Sequence, residues 1–196
     1  MINITIVLFA YVLGLIPSAY IFSKLFKHTD ITTTGTGNVG TMNTIVNVGV
    51  MPGILTFLSD AGKGFLVVFL SLNHTMGDVL PLLALFSLIL AHNYNPLLNF
   101  KGGKGFGNLA GGLLLLSPLT IPSMIALTTV LLIVFKIPKV TAGFATVLFP
   151  FVFYTQTNDL SLFIGSFPLT ITIFSKHIDN FRTYFDHNSV EYHRND

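Results

Sequence analysis

Two glycine-framed polar stretches in this chain have the residue types and spacing to hold a phosphate. The first reads Gly35-Thr36-Gly37-Asn38-Val39-Gly40-Thr41-Met42-Asn43. Glycines at alternating positions let backbone N–H groups converge on an anion, and Thr36, Asn38 and Asn43 add oriented polar groups. The second reads Phe100-Lys101-Gly102-Gly103-Lys104-Gly105 and leads into an apolar run. At the start of a helix it would combine ammonium charge, open N–H groups and the favourable end of the helix dipole. Neither stretch matches a better-known phosphate motif. The letters G-x-G-x-x-G occur at 35–40, but no strand precedes them and Asp60 falls within an apolar run, so a dinucleotide site is not expected. The second lacks the Gly-Lys-Ser/Thr ending of a P-loop. A flexible surface connection and a positive anchor at the membrane boundary are the plainer readings of the two.

Other chemistry-bearing residues are sparse. Asp60 and Lys63 lie three apart in one apolar run, hence on one helical face; ionised groups there must pair or face a polar interior. A structural ion pair and a direct role in catalysis are equally open on this spacing. In Lys176-His177-Ile178-Asp179-Asn180, His177 and Asn180 also share a face and offer a titratable group and a neutral donor. His92, before Tyr94 and Pro96, is either a supporting residue of the same site or a plain interfacial histidine. No H-E-x-x-H pattern, clustered His and carboxylate, or Ser-His-Asp set stands out, and no metal, cofactor or nucleic-acid partner is expected.

The elements that must carry these residues are membrane helices. Of 196 residues, 52% are hydrophobic and 9% charged, with nineteen Phe and no Cys, a composition that a soluble globule could not cover. Apolar runs at 4–26, 51–72, 78–94, 105–118, 121–135, 140–155 and 160–175 give an all-α, polytopic bundle of about seven short spans. The first has no charged n-region and reads as a retained span rather than a signal peptide. Lys24, Lys27, Lys101, Lys104, Lys136, Lys139, Lys176, Arg182 and Arg194 fall at alternate turnarounds or in the tail, whereas 73–77, 119–120 and 156–159 carry no Lys or Arg. The positive-inside rule then puts the N-terminus outside and the C-terminus in the cytoplasm. Residues 1–196 read as one integral membrane domain with a short cytoplasmic tail from about 176. Both long glycine-rich connections, 29–49 and 93–105, are on the cytoplasmic side, so function is expected there. Gly103, Gly107 and Gly111 recur every four residues, which for the last two signals close helix packing in lipid.

Taken in order, Pro17-Ser18-Ala19-Tyr20, the 35–43 loop, Asp60 with Lys63-Gly64, His92 through Lys104-Gly105, and His177 with Asn180 resemble the bacterial acyl-phosphate:glycerol-3-phosphate acyltransferases, the PlsY family. The chain looks like a divergent member. Where the family reads G-S-G-N-x-G-A-T-N, this chain has Thr36 for the serine and Thr41-Met42 for Ala-Thr. Val46 stands where an arginine is usual, and the tail at 186–189 lacks the family's glutamate. The resemblance implies transfer of an acyl group from acyl phosphate to the first hydroxyl of glycerol 3-phosphate, giving lysophosphatidic acid, the first step of phospholipid synthesis. It also implies a bacterial cell membrane location and a soluble partner enzyme that makes the acyl phosphate.

Acyl phosphate is a mixed anhydride with a competent leaving group, so positioning can do most of the work. On this reading Gly35, Gly37, Asn38, Gly40, Asn43, Gly103 and Lys104 hold phosphate, Thr36 and Asn180 orient the attacking alcohol, and loop N–H groups steady the oxyanion. His177 serves as binder or general base, with a substrate phosphate as the competing proton acceptor. Asp60, Lys63 and His92 support the site. Two rival readings remain: a small-anion carrier or channel, and a catalytically weakened relative that binds lipid or a partner.

Overall fold

The computed structural model describes residues 2–72, 79–182 and 184, and its regular structure is helical. The connection at 73–77, the tail positions 186–189 and Arg194 lie outside the described residues. In chain order the helices are α1 (Ile2–Gly14), α2 (Ser18–Lys27), α3 (Thr41–Asn47), α4 (Val50–Ser71), α5 (Val79–Asn93), α6 (Phe106–Leu116), α7 (Thr120–Phe135), α8 (Pro138–Thr157) and α9 (Leu160–Ser175). Short 3-10 turns at Ile31–Thr33 and Pro96–Leu98 shape the two long connections.

Each of the seven apolar runs is helical, and by length and composition four segments are able to cross a membrane: Asn3–Lys27, Val50–Ser71, Val79–Leu98 and Val140–Thr157. α6, with 11 residues, reaches about 16 Å at ~1.5 Å per residue, roughly half of a hydrocarbon core. The distribution of side chains is that of a protein in lipid. Ile4, Leu8, Phe57, Leu58, Ile133 and Val134 point outward, whereas Asp60, Lys63, His92, Asn93, Asn108 and Thr172 are buried. The apolar core gathers Val68, Leu85, Leu88, Phe149, Leu169 and Ile173 from α4, α5, α8 and α9.

The first run is not one continuous helix as expected. Pro17 has no N–H to give and ends α1, and α2 restarts at Ser18. At the break the Ile16 carbonyl accepts from the Ser18 N–H at 3.1 Å in place of a helical donor, and Lys63 adds a second partner: its Nζ donates to Ile16 O at 2.6 Å, to Ser18 Oγ at 2.6 Å and to Asp60 Oδ1 at 3.0 Å. All three ammonium protons are used, and Ser18 Oγ also donates to Asp60 at 2.7 Å. The Asp60–Lys63 pair therefore clamps the broken first run onto α4.

A second difference lies in the 29–49 connection, where 41–47 form α3. Its last carbonyl, Asn47 O, accepts from Lys27 Nζ at 2.7 Å, a cation at the negative end of a short helix.

α4 and α6 approach closely enough to exclude side chains. A β-carbon on Gly64 would overlap the Asn108 carbonyl, and one on Gly111 would overlap that of Ala61. Gly111→Leu is expected to destabilise the bundle by about 3 kcal/mol or more, because rigid backbone must move. A thermal-unfolding scan in detergent measures this; an unchanged midpoint would contradict the packing.

Candidate functional site

The groups able to meet an anion gather at the entrance to α6. Asn99 and Phe100 take left-handed φ of 53° and 62°, and Gly105, at 82°, forms the N-cap without a side-chain partner. Among the described residues no acceptor takes the N–H groups of Lys104, Gly105 or Phe106. They open at the positive end of the helix dipole beside the Lys104 ammonium. Gly102 and Gly103 are buried against α5: the Gly103 N–H donates to His92 O at 3.3 Å, and a β-carbon at Gly103 would strike the His92 ring and come within 2.7 Å of Val39 O. This last contact brings the 35–43 loop to the same turn.

That loop is organised differently from a simple cradle. Asn43 is buried, with Nδ2 donating to Thr34 O at 3.0 Å and Asn38 O at 2.9 Å, and Oδ1 accepting from the Thr36 N–H at 3.1 Å. The Gly37 N–H donates to Thr34 O and the Gly40 N–H to Asn38 O, both at 3.0 Å. The donors expected to converge on an anion are thus largely committed to the loop itself. Asn43 fixes the loop's shape and has no amide proton left for a ligand. Gly35 and Gly37 are needed for positive φ, at 60° and 69°, and a β-carbon on Gly35 would also overlap Asn47 Nδ2. Thr36 is exposed at the rim, its hydroxyl accepting weakly from the Asn38 N–H at 3.4 Å.

Across from the α6 entrance stands the end of α9. His177 is buried, and its Nδ1 lies 3.0 Å from Ile173 O. A carbonyl only accepts, so Nδ1 carries the proton and Nε2 of the neutral ring is an acceptor. Burial, then the nearby Lys104 charge, push the His177 pKa down to about 4, the Ile173 bond opposing. Burial lowers the Lys104 pKa as well, followed by the charge of Lys176, with Asp179 opposing. Lys176 itself lies 4.9 Å over the Tyr94 ring. Asn180 is half-buried, with its N–H donating to His177 O at 3.0 Å.

Lys104, His177 and Asn180 therefore share one end of the bundle with the loop that carries Thr36. Asp30 feels both Lys24 and Lys101, and Lys104 feels Lys176, which places these cations at that end. The cleft bounded by Leu116, Ser117, Pro118, Gln156 and Asp159 lies at the far end of α6.

Sequence reasoning does not single out four residues at or beside the site. The sequence shows Lys176 as a boundary cation beside His177, with no role in binding. Ser18 carried no role, although a serine directly after a helix-breaking proline and opposite an intramembrane aspartate was a usable signal. Asn93 and Asn108 are fully buried; Asn93 Oδ1 and both amide atoms of Asn108 have no partner among the described residues, and apolar patterning gave no hint of them.

The depressed His177 pKa gives a signed pH effect. Between its unfolded value of 6.5 and about 4, the unfolded chain binds a proton that the folded chain excludes. The contribution of neutral His177 is fully present above 6.5 and is lost as pH falls towards 4. Across that window the wild-type unfolding temperature should drop more steeply than that of His177→Gln; parallel slopes would contradict the burial account.

The comparisons with known proteins bear on this geometry. The glycerol-3-phosphate acyltransferase family model matches residues 4–187. A glycerol-3-phosphate acyltransferase of Alkaliphilus metalliredigens is 32% identical over 182 residues, covering 93% of this chain and 92% of that protein. One from Carboxydothermus hydrogenoformans is 34% identical, covering 89% of each, and one from Helicobacter pylori is 36% identical, covering 81% and 77%. Among solved structures, the glycerol 3-phosphate form of PlsY, an integral membrane glycerol 3-phosphate acyltransferase, aligns with a TM-score of 0.84 at 22% identity, over 95% of this chain and 94% of that one. The lysophosphatidic acid form gives 0.82 at 21%, over 95% and 93%.

Proposed function

Because this chain belongs to the glycerol-3-phosphate acyltransferase family, we propose that it transfers a fatty acyl group from acyl phosphate to the 1-hydroxyl of glycerol 3-phosphate, releasing lysophosphatidic acid and phosphate. The observation that carries the reading is the α6 entrance, where Lys104 and the open N–H groups beside it face a buried, neutral His177.

The attacking alcohol oxygen forms a bond to the acyl carbon as the bond from that carbon to the phosphate oxygen breaks. Lys104, the N–H groups at the start of α6 and the turn at Gly103 hold phosphate, and Lys176 adds a second cation beside them. His177 Nε2 accepts a hydrogen bond from the hydroxyl and aims it at the carbonyl, with Asn180 one helical turn away. A ring of such low basicity makes a poor terminal base, so the substrate or leaving phosphate takes the proton. The 35–43 loop closes the rim with Thr36 and Asn38, and its glycines and Asn43 keep it in shape.

The proposal extends to the setting. The chain is one integral membrane domain of seven helical spans in a bacterial cell membrane, N-terminus outside and C-terminus inside, with the site at the cytoplasmic face. Clustering of Lys24, Lys101, Lys104 and Lys176 at one end supports that orientation. The acyl chain lies among the apolar helices, and a soluble enzyme supplies the acyl phosphate.

Purified protein in detergent or proteoliposomes, given labelled glycerol 3-phosphate, should make lysophosphatidic acid with acyl phosphate and not with acyl-CoA or acyl carrier protein. Product from acyl-CoA alone would overturn the donor assignment.

A further inference from the structure

His92 takes no direct part in the chemistry above, yet it sits where the buried ion pair meets the phosphate-binding turn. Asp60, itself on α4, meets three other helices besides its own Lys63: Ser18 of α2 donates to Oδ1 at 2.7 Å, Lys63 at 3.0 Å, and His92 of α5 brings Nδ1 to 4.0 Å. From α6, a β-carbon on Gly107 would stand 3.0 Å from Asp60 Cβ. The opposite edge of the same imidazole, Nε2, occupies the space a Gly103 side chain would need, and His92 O receives the Gly103 N–H at 3.3 Å. The ring is thus a rigid spacer with the four-helix carboxylate on one edge and the Gly102-Gly103 turn on the other. The turn has no side chain of its own through which to be held. Its position relative to Lys104 depends on what lies beneath it.

We propose that His92, braced by Asp60, is a positioning residue that sets the height of the Gly102-Gly103 turn and thereby aims the Lys104 ammonium and the first N–H groups of α6 at the phosphate. The effect is on phosphate binding rather than on the bond-making step, since His92 touches no reacting atom. This rests on the proposed seat for the phosphate of glycerol 3-phosphate at the α6 entrance.

The test compares His92→Ala, His92→Asn and His92→Gln. Asparagine keeps a polar atom near the Nδ1 position but empties the space under Gly103, whereas glutamine reaches the Nε2 position. For His92→Ala and His92→Asn, the KM for glycerol 3-phosphate and the inhibition constant of inorganic phosphate should rise together by about tenfold. The turnover number should stay within about threefold, and His92→Gln should restore most of the binding. Unchanged KM and inhibition constants in folded His92→Asn, with turnover or yield alone reduced, would mean that His92 only packs the bundle, and the proposal would be wrong. If His92→Ala does not fold, the Asn and Gln variants decide alone. If the wild type proves inactive with acyl phosphate, the donor reading fails by itself. Stabilisation of the wild type and the His92→Asn variant by inorganic phosphate in a thermal scan then tests the positioning role directly.

Discussion

Lys104→Ala should lower kcat/KM by about two to three orders of magnitude, the loss typical when one preorganised group facing developing charge is removed. The size follows from where Lys104 sits. It is half-buried at the start of α6, its pKa is lowered first by that burial, and it lies close enough to His177 to depress that ring as well. An ammonium held in such surroundings interacts with a phosphate far more strongly than one in water. Lys104→Arg should remain at least about tenfold impaired, because a planar guanidinium does not fill the place of a compact point charge. Steady-state kinetics with both substrates varied would show this, and near-normal kcat/KM in the alanine variant would remove Lys104 from the site.

Gly103→Ala is the second large effect. A methyl there collides with the His92 ring and lies 2.7 Å from the Val39 carbonyl, so it pushes apart the two glycine-rich connections. Since two backbone segments and a buried ring must shift, kcat/KM is expected to fall by about a hundredfold or more. The protein should still fold, because the clash lies at the rim of the bundle rather than in the apolar core formed around Leu85 and Ile173. Gly102→Ala, whose methyl would overlap the His92 and Asn93 carbonyls, should behave similarly. Comparing unfolding temperature with activity separates the two effects; wild-type kinetics for Gly103→Ala would show that the turn tolerates displacement.

Much of this arrangement was legible from residue types. Long apolar runs have little choice but helix in lipid, since every backbone polar group must find an internal partner. The four-residue recurrence of Gly107 and Gly111 signals close helix packing, and the partner, α4, is supplied by the structure. Local sequence did not decide the break at Pro17, because a proline within an apolar run is compatible with either a kink or a stop. Here the break is held by Lys63, forty-seven positions away, whose Nζ joins the Ser18 N–H on the Ile16 carbonyl. α3 was hidden for a related reason: its seven residues include two Thr and two Asn, poor helix formers, and Lys27 completes its C-terminal end from outside.

The site was legible as a list of residues and less so as a division of labour. Alternating glycines at 35–40 suggested an anion cradle, but backbone donors can be satisfied within a loop as readily as by a ligand. The Asn43 amide tips the balance here by bonding to both Thr34 and Asn38. The open donors lie instead at the uncapped start of α6, a property of backbone geometry that composition does not display. Val46, where the resemblance implies an arginine, is 74% exposed, so the valine leaves no buried hole.

The most direct measurement is a structure of this protein with glycerol 3-phosphate bound. The phosphate is expected within hydrogen-bond reach of Lys104 and the first N–H groups of α6, with the ligand's 1-hydroxyl turned towards His177 Nε2. A phosphate seated in the cleft beside Ser117 and Gln156, at the other end of α6, would contradict this placement.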